Sequence, residues 1–475
     1  IRRLPPYVFE EVNKVKARLR ADGGDIVDFG MGNPDLPVPE HIVDKLCETA
    51  KKPRTNRYSA SRGIAGLRKA MAGYYKRRFG VTLNPDTQIV ATLGSKEGFA
   101  NLAQAITAPG DVIISPNPSY PIHAFGFIMA GGVIRSVEAH SPEQYLSGIG
   151  RAVRHSVPPP IAMVVCYPAN PTAQTADLDF YKDAVAFAKK HDMFVLSDMA
   201  YSEIYFEGEP PPSVLQVDGA FDVAVEVNTL SKTYSMAGFR VGFALGNERL
   251  IAALARVKSY LDYGAYTPVQ VAAAAALNGP QDCVEEMRRI YKVRRDVLVD
   301  SFAKAGWAVP KPTASMFAWA PIPEQFKHLG SVEFAKRLMT GAELAVAPGA
   351  GFGEYGDAFV RIALVENEQR IRQAARNLKT MAVGDLAFFY HSNIGKEIVG
   401  IVTITRTAYP DPSDPAGRFV MVDVAAKQPI PRPISLAQIK SDPMLADIAL
   451  IKQSRLSVMP ISKPHWDYLC RLGGL

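Results

Sequence analysis

Lys232 is the residue whose surroundings point most directly to chemistry. It stands in Asn228-Thr229-Leu230-Ser231-Lys232-Thr233-Tyr234, directly behind an apolar run, with Arg240 eight residues further on. A lysine among hydroxyls, followed by an arginine, suits a Schiff-base lysine beside a phosphate site. Thr229, Ser231 and Arg240 could donate hydrogen bonds to a phosphate, and the guanidinium would add charge. An isolated lysine after a strand reads as a surface residue; the neighbours here favour the chemical reading. The eight histidines show no HxxxH spacing and no His/Cys cluster, so a metal site is not expected. The glycine-rich loop at 348–353 lacks the Gly-Lys-Ser/Thr of a nucleotide-binding P-loop.

The elements that must position Lys232 alternate along the chain. Short apolar, β-branched runs occur at 112–115, 161–167, 193–197, 223–227 and 241–244. Most intervals between them are long enough for a crossover helix. One such interval, 178–190, places Leu178, Tyr181, Val185 and Ala188 at helical spacing. Strands buried on both faces and joined by helices predict an α/β fold with a mostly parallel sheet. Helical patterning at 283–303 and 369–381, broken by Gly/Pro punctuation, predicts a smaller α+β unit. Strand-like runs at 386–390, 398–404 and 419–424, with a turn-rich stretch at 410–417, mark a separate β-rich piece.

Composition bounds the function classes. With 48% hydrophobic and 21% charged residues, the 475-residue chain is not a disordered one. The net charge of +7 comes from 54 basic and 47 acidic side chains spread thinly, without a Lys/Arg run, so it does not argue for nucleic acid. Cys47, Cys166, Cys283 and Cys470 form no CxxC pair, which excludes a Cys-based zinc site and disfavours a disulfide framework. The charge-free stretch 112–134 holds Pro116, Pro118, Pro121 and His123, which argues for a buried strand and loop over a membrane span. No apolar signal segment opens the sequence, and a cytoplasmic setting is expected.

Four motifs carry a resemblance: Tyr167-Pro168-Ala169-Asn170-Pro171-Thr172, Ser197-Asp198-Met199-Ala200-Tyr201, Ser231-Lys232-Thr233-Tyr234 and Phe359-Val360-Arg361-Ile362-Ala363-Leu364. In that order and spacing, residues 1–380 resemble the fold-type I pyridoxal-phosphate (PLP) aminotransferases of class I/II. Phe29-Gly30-Met31-Gly32-Asn33-Pro34-Asp35 and Gly94-Ser95-Lys96-Glu97-Gly98 are similar to the bacterial alanine (glutamate–pyruvate) subgroup, near the LL-diaminopimelate aminotransferases.

The resemblance implies a large PLP-binding domain over 36–264, a small domain from 1–35 and 265–380, and a homodimer with shared active sites. It implies that Lys232 carries PLP and then acts as base in the proton shift. Asp198 would pair with the pyridinium nitrogen, its alternative reading being a helix N-cap. Asn170 and Tyr201 would hydrogen-bond the phenolic oxygen, and Tyr120 would stack on the ring or merely pack in the core. Ser95 and Lys96, with Thr229, Ser231 and Arg240, would hold the phosphate. Tyr58 would reach a phosphate in the other subunit or be a plain surface tyrosine. Arg361 would clamp the substrate α-carboxylate, with Asn170 and Gly32 beside it. The substrates would be a small amino acid, such as alanine, and a 2-oxo acid; a PLP lyase on the same fold is the in-class alternative.

Residues 381–475 resemble an EVE domain, a PUA-like β-barrel, through Val383-Gly384-Asp385-Leu386-Ala387-Phe388-Phe389-Tyr390-His391-Ser392-Asn393 and the stretch 451–460. That family is associated with modified nucleobases, which gives an out-of-class alternative, with Tyr390, His391 and Asn393 as pocket candidates. Its opening strand is absent, so a partial barrel with an exposed edge is expected, one that neither folds alone nor binds a base.

Overall fold

The β-branched runs become a seven-stranded sheet. Strands β1 (Ile89–Thr92), β2 (Val112–Asn117), β3 (Val133–Glu138), β4 (Pro160–Cys166), β5 (Phe194–Asp198), β6 (Ala224–Thr229) and β7 (Gly242–Gly246) lie in the order β1-β7-β6-β5-β4-β2-β3. Every pairing is parallel except those of β7, which runs antiparallel to both β1 and β6. The computed structural model describes residues 8–21, 24–379, 386–391, 395–410, 420–446, 448–452 and 461–475.

Helices cover the sheet because its strands are apolar on both sides. Val90, Ile113, Val164, Leu196, Val225 and Val227 pack with Phe99 and Leu102 of the helix Ser95–Ile106 and with Ile251 and Leu254 of the helix Glu248–Leu261. The helix Leu178–Lys190 has the bounds its periodicity predicts, and its N-cap Asp177 accepts from the Phe180 amide at 2.8 Å. β1 and β3 were not anticipated; β3 is an edge strand with three exposed positions, so its apolar signal is weak.

A second, antiparallel sheet of β8 (Phe317–Pro321), β9 (Ala347–Pro348) and β10 (Phe359–Ala363) runs β9-β10-β8 and sets Arg361 between Ala347 and Trp319. Both sheets belong to one compact unit, which takes in 27–336 and 345–373.

A second unit holds 374–475 together with 16–26 and 337–344. Its strands β11 (Leu386–His391), β12 (Glu397–Pro410) and β13 (Val420–Ser435) form an antiparallel sheet in that order. β13 runs well past the predicted 419–424 despite Pro429, Pro431 and Pro433. As an edge strand it can leave backbone groups unpaired, and its register slips where the prolines begin. Ile398, Ile430, Ile434, Ile439, Leu445, Ile448 and Leu469 form a buried cluster. Phe388 stacks on Trp466 at 4.2 Å. Tyr390 packs against that cluster and His391 is exposed. The junction at Thr380 and Met381, Val383-Gly384-Asp385, Asn393, most of the 410–417 turn and most of 451–460 lie outside the described residues.

Ile434 is 1% exposed within this cluster, so Ile434→Ala should cost about 2–5 kcal/mol. Hydrogen exchange of the full chain should then accelerate in peptides from β12 and β13 and stay unchanged in β4. Unchanged exchange in β12 would show that the cluster does not hold this sheet.

Candidate active site

The parallel strands deliver their carboxyl ends to one side of the sheet. Ser95 follows β1, Tyr120 follows β2, Asn170 follows β4, Asp198 ends β5, and Lys232 follows β6 on the single helical turn Leu230–Thr233. Because β7 is reversed, its beginning lies at that same side, with Gly242 paired to Thr92 of β1 and Thr229 of β6. Arg240, two residues ahead of Gly242, is brought there too. This is the side on which open α/β sheets bind ligands.

The Lys232 ammonium position is buried, and Nζ donates to the Gly32 carbonyl at 2.7 Å. Burial, helped by the positive charges of Arg361 and Arg240, lowers its pKa to about 8. Arg361 is itself buried; it donates to Asn170 Oδ1 at 2.8 Å and to the Gly30 carbonyl at 3.1 Å. Its guanidinium lies 4.1 Å from the Phe317 ring centre and 4.7 Å from that of Phe352. Gly32 admits no side chain, because a Cβ there would lie 2.5 Å from the Phe317 ring. Tyr201 is buried edge-to-face on Phe317, and burial raises its phenol pKa well above the ordinary value.

Asp198 is buried and its Oδ2 lies 2.8 Å from His123 Nε2. His123 is fully buried and edge-to-face with Tyr120 at 6.0 Å. Cys166 lies close by: one ligand-type atom each of His123, Cys166 and Asp198 fall within 4.8 Å of one another. Burial pushes the Cys166 thiol well up, holding it protonated and making it a poor metal ligand. The trio is therefore a hydrogen-bonded His123–Asp198 pair beside a protonated thiol.

Around the turn at 93–95 the donors gather. Ser95 opens a twelve-residue helix whose N-cap, Gly94, has φ +89 and no capping side chain. A side chain at Gly94 would strike the Arg240 guanidinium, and one at Gly242 would lie 2.8 Å from the Ser95 amide nitrogen. Arg240 Nη2 donates to the Leu93 carbonyl at 3.0 Å, and Thr229 Oγ1 lies 2.9 Å from Ser231 Oγ. Free helix amides, hydroxyls and a guanidinium are the donor set of an anion site. Lys96 points its exposed side chain over the Tyr120 ring at 5.9 Å, so its contribution to the turn is its backbone amide.

The structure thus brings Lys232, Asn170, Tyr201, Arg361 and Gly32 into one set of contacts, and Ser95, Thr229, Ser231 and Arg240 around one turn. Tyr58 stands apart, 86% exposed, its ring 4.6 Å from Tyr263. Sequence reasoning missed His123 as the partner of Asp198 and Phe317 as the ring under Arg361. The signal for His123 was a histidine inside a charge-free apolar stretch.

A model of the family "Aminotransferase class I and II" matches residues 24–378. The chain belongs to the class I and II aminotransferases. It is 69% identical over 379 residues to the Rhizobium meliloti (strain 1021) protein described as "Putative aminotransferase AatC", covering 80% of this chain and 94% of that one. It is 51% identical over 385 residues to the glutamate-pyruvate aminotransferase AlaC of Escherichia coli (strain K12), covering 81% and 93%. Among solved structures, the substrate-bound BacF of Bacillus subtilis superposes with a TM-score of 0.75 at 36% identity, covering 79% of this chain and 95% of that one.

The aminotransferase is a PLP-dependent enzyme of fold type I. Its residues fit the cofactor: an anion-binding turn, a buried carboxylate and a buried amine of lowered pKa stand at the same sheet end. A separate match to the EVE domain covers residues 367–472. Among the described residues, no helix is long and apolar enough to cross a membrane.

Because burial and two nearby cations depress Lys232, an amine-reactive reagent should label it in the cofactor-free protein with a midpoint near pH 8. Arg361→Gln removes one like charge and should move that midpoint upward, as read by mass spectrometry of the labelled peptide. A midpoint of an ordinary exposed lysine in the wild type would contradict the geometry.

Proposed function

We propose that this aminotransferase moves the amino group of a small amino acid, alanine, to 2-oxoglutarate, and runs in reverse between glutamate and pyruvate, by a ping-pong sequence. The observation that carries it is the joint setting of Lys232 and Arg361. A guanidinium oriented by Asn170 and the Gly30 carbonyl stands where it can grip a carboxylate with two N–H groups, and the amine that moves the proton is held at the Gly32 carbonyl. The 51% identity to a glutamate-pyruvate aminotransferase supports alanine as substrate.

PLP, when bound, supplies the electron sink for the pair left as the substrate Cα–H bond breaks. Lys232 would hold it, and its Nζ, once neutral and released, would take the proton from the substrate Cα and carry it for the return transfer. Asp198, hydrogen-bonded to His123, would pair with a ring nitrogen of the cofactor and favour its protonated form. Tyr201, kept unionised by its burial, would donate its phenol O–H to the cofactor's phenolic oxygen, with Asn170 beside it. Ser95, Thr229, Ser231, Arg240 and the Lys96 amide would hold the cofactor's phosphate, and Tyr120 would pack on its ring. Phe317 and Phe352 shield the carboxylate–Arg361 contact from water, which strengthens it.

The cofactor sites are completed, in this proposal, by a second copy of the chain in the cytoplasm. Tyr260, Tyr263 and Tyr266 expose large rings within one short stretch, and exposed Tyr58 packs on Tyr263, ring centres 4.6 Å apart. A symmetric pair would bury them and present Tyr58 to the neighbouring phosphate. Sedimentation should show a dimer that Tyr263→Asp weakens; a wild type that stays monomeric at micromolar concentration would rule out shared sites.

With alanine and 2-oxoglutarate, the full chain loaded with PLP should form pyruvate, followed by coupled reduction of the pyruvate. Lys232→Ala should lower that rate by about 10²–10⁴-fold. The rate must depend on the 2-oxo acid, since a lyase would need none. A higher kcat/KM with LL-diaminopimelate than with alanine would replace the alanine assignment.

A further inference from the structure

Arg294 lies at the middle of the long helix Asp282–Lys304, 6% exposed, with no part in the chemistry described above. Its two terminal nitrogens grip Asp35 as a fork, Nη1 to Oδ1 and Nη2 to Oδ2, each at 2.7 Å. Nη1 also donates to the carbonyl of Leu364 at 3.1 Å. Each partner is anchored to a different wall of the site. Asp35 is three residues from Gly32, whose carbonyl holds Lys232, and Pro34 between them restricts the backbone. Leu364 is three residues beyond Arg361 and directly follows β10.

We propose that Arg294 is a positioning residue for substrate carboxylate binding: by gripping Asp35 and the Leu364 carbonyl together, it fixes the segment carrying Gly30 and Gly32 against the strand carrying Arg361. This rests on the roles of Arg361 and Gly32 proposed above. Other contacts between the two walls include Asp28 N to Glu366 Oε1 at 3.3 Å, Ala363 N to the Phe29 carbonyl at 2.9 Å and Arg361 itself to the Gly30 carbonyl. These lie on the near side of Gly32. The Arg294–Asp35 fork lies beyond it and holds the segment there. Lysine cannot replace it, because three acceptors at fixed directions need a planar fork of donors. The pair is well placed to be strong, since Arg294 is nearly out of solvent while Asp35 keeps 35% exposure of its side chain.

The test uses the holoenzyme as wild type, Asp35→Asn and Arg294→Lys. Each variant should raise KM for alanine and for 2-oxoglutarate about tenfold or more, keep kcat within about threefold and retain full PLP content, because the carboxylate grip is loosened while Lys232 stays in place. Hydrogen exchange should accelerate in peptides covering residues 27–36. Unchanged KM values in Asp35→Asn, with or without faster exchange, would reduce the pair to a purely structural contact. A fall in kcat at constant KM would equally overturn the proposal. Should Arg294→Lys fail to fold, Asp35→Asn decides, because its side chain is partly solvated. If the wild type does not transaminate at all, the proposed activity fails, and exchange in Asp35→Asn still decides whether the fork holds the segment.

Discussion

The pairing of Gly242 with Thr92 on one side and Thr229 on the other is the constraint on which the site depends. A reversed strand between two forward ones puts its beginning among their ends. The turn at 93–95, the Arg240 loop and the Thr229–Ser231 turn are thereby brought together at one edge of the sheet. The packing is tight enough that neither Gly94 nor Gly242 could carry a side chain without striking this cluster. A Cβ at either position would push the guanidinium or the helix amides out of place.

A second consequence of this architecture is electrostatic. Two cations, Arg361 and Arg240, act on a buried lysine, which is costly unless that lysine gives up its proton easily. The fold accepts the cost because Arg361 is held by Asn170, by the Gly30 carbonyl and by aromatic faces on Phe317 and Phe352. His123 and Asp198 form a second buried pair, joined at 2.8 Å.

The carboxy-terminal unit obeys different rules. Its three strands cluster apolar side chains on one side and leave Leu386 and Phe389 partly in solvent, and both outer strands are edges among the described residues. The same unit holds a buried cluster that strand spacing alone did not foretell. Much of that cluster comes from Ile439, Leu445, Ile448 and Leu469, which lie in or between short helices, where no strand periodicity marks them.

Much of the molecule was legible beforehand. β-branched runs of the right length gave most of the parallel strands, helical spacing gave the helix Leu178–Lys190, and the motifs around Lys232, Asp198, Asn170 and Arg361 pointed to the family, because each signal is local in the chain. What sequence could not supply was pairing. The strand reversal at β7, the His123–Asp198 contact, the Phe317 ring under Arg361 and the Arg294–Asp35 fork join residues 44 to 259 positions apart or depend on which strand lies beside which. Such contacts are chosen by the packing of the whole sheet and its helices, so only the tertiary structure decides them, whereas residue type and spacing decided which chemistry the site was equipped to perform.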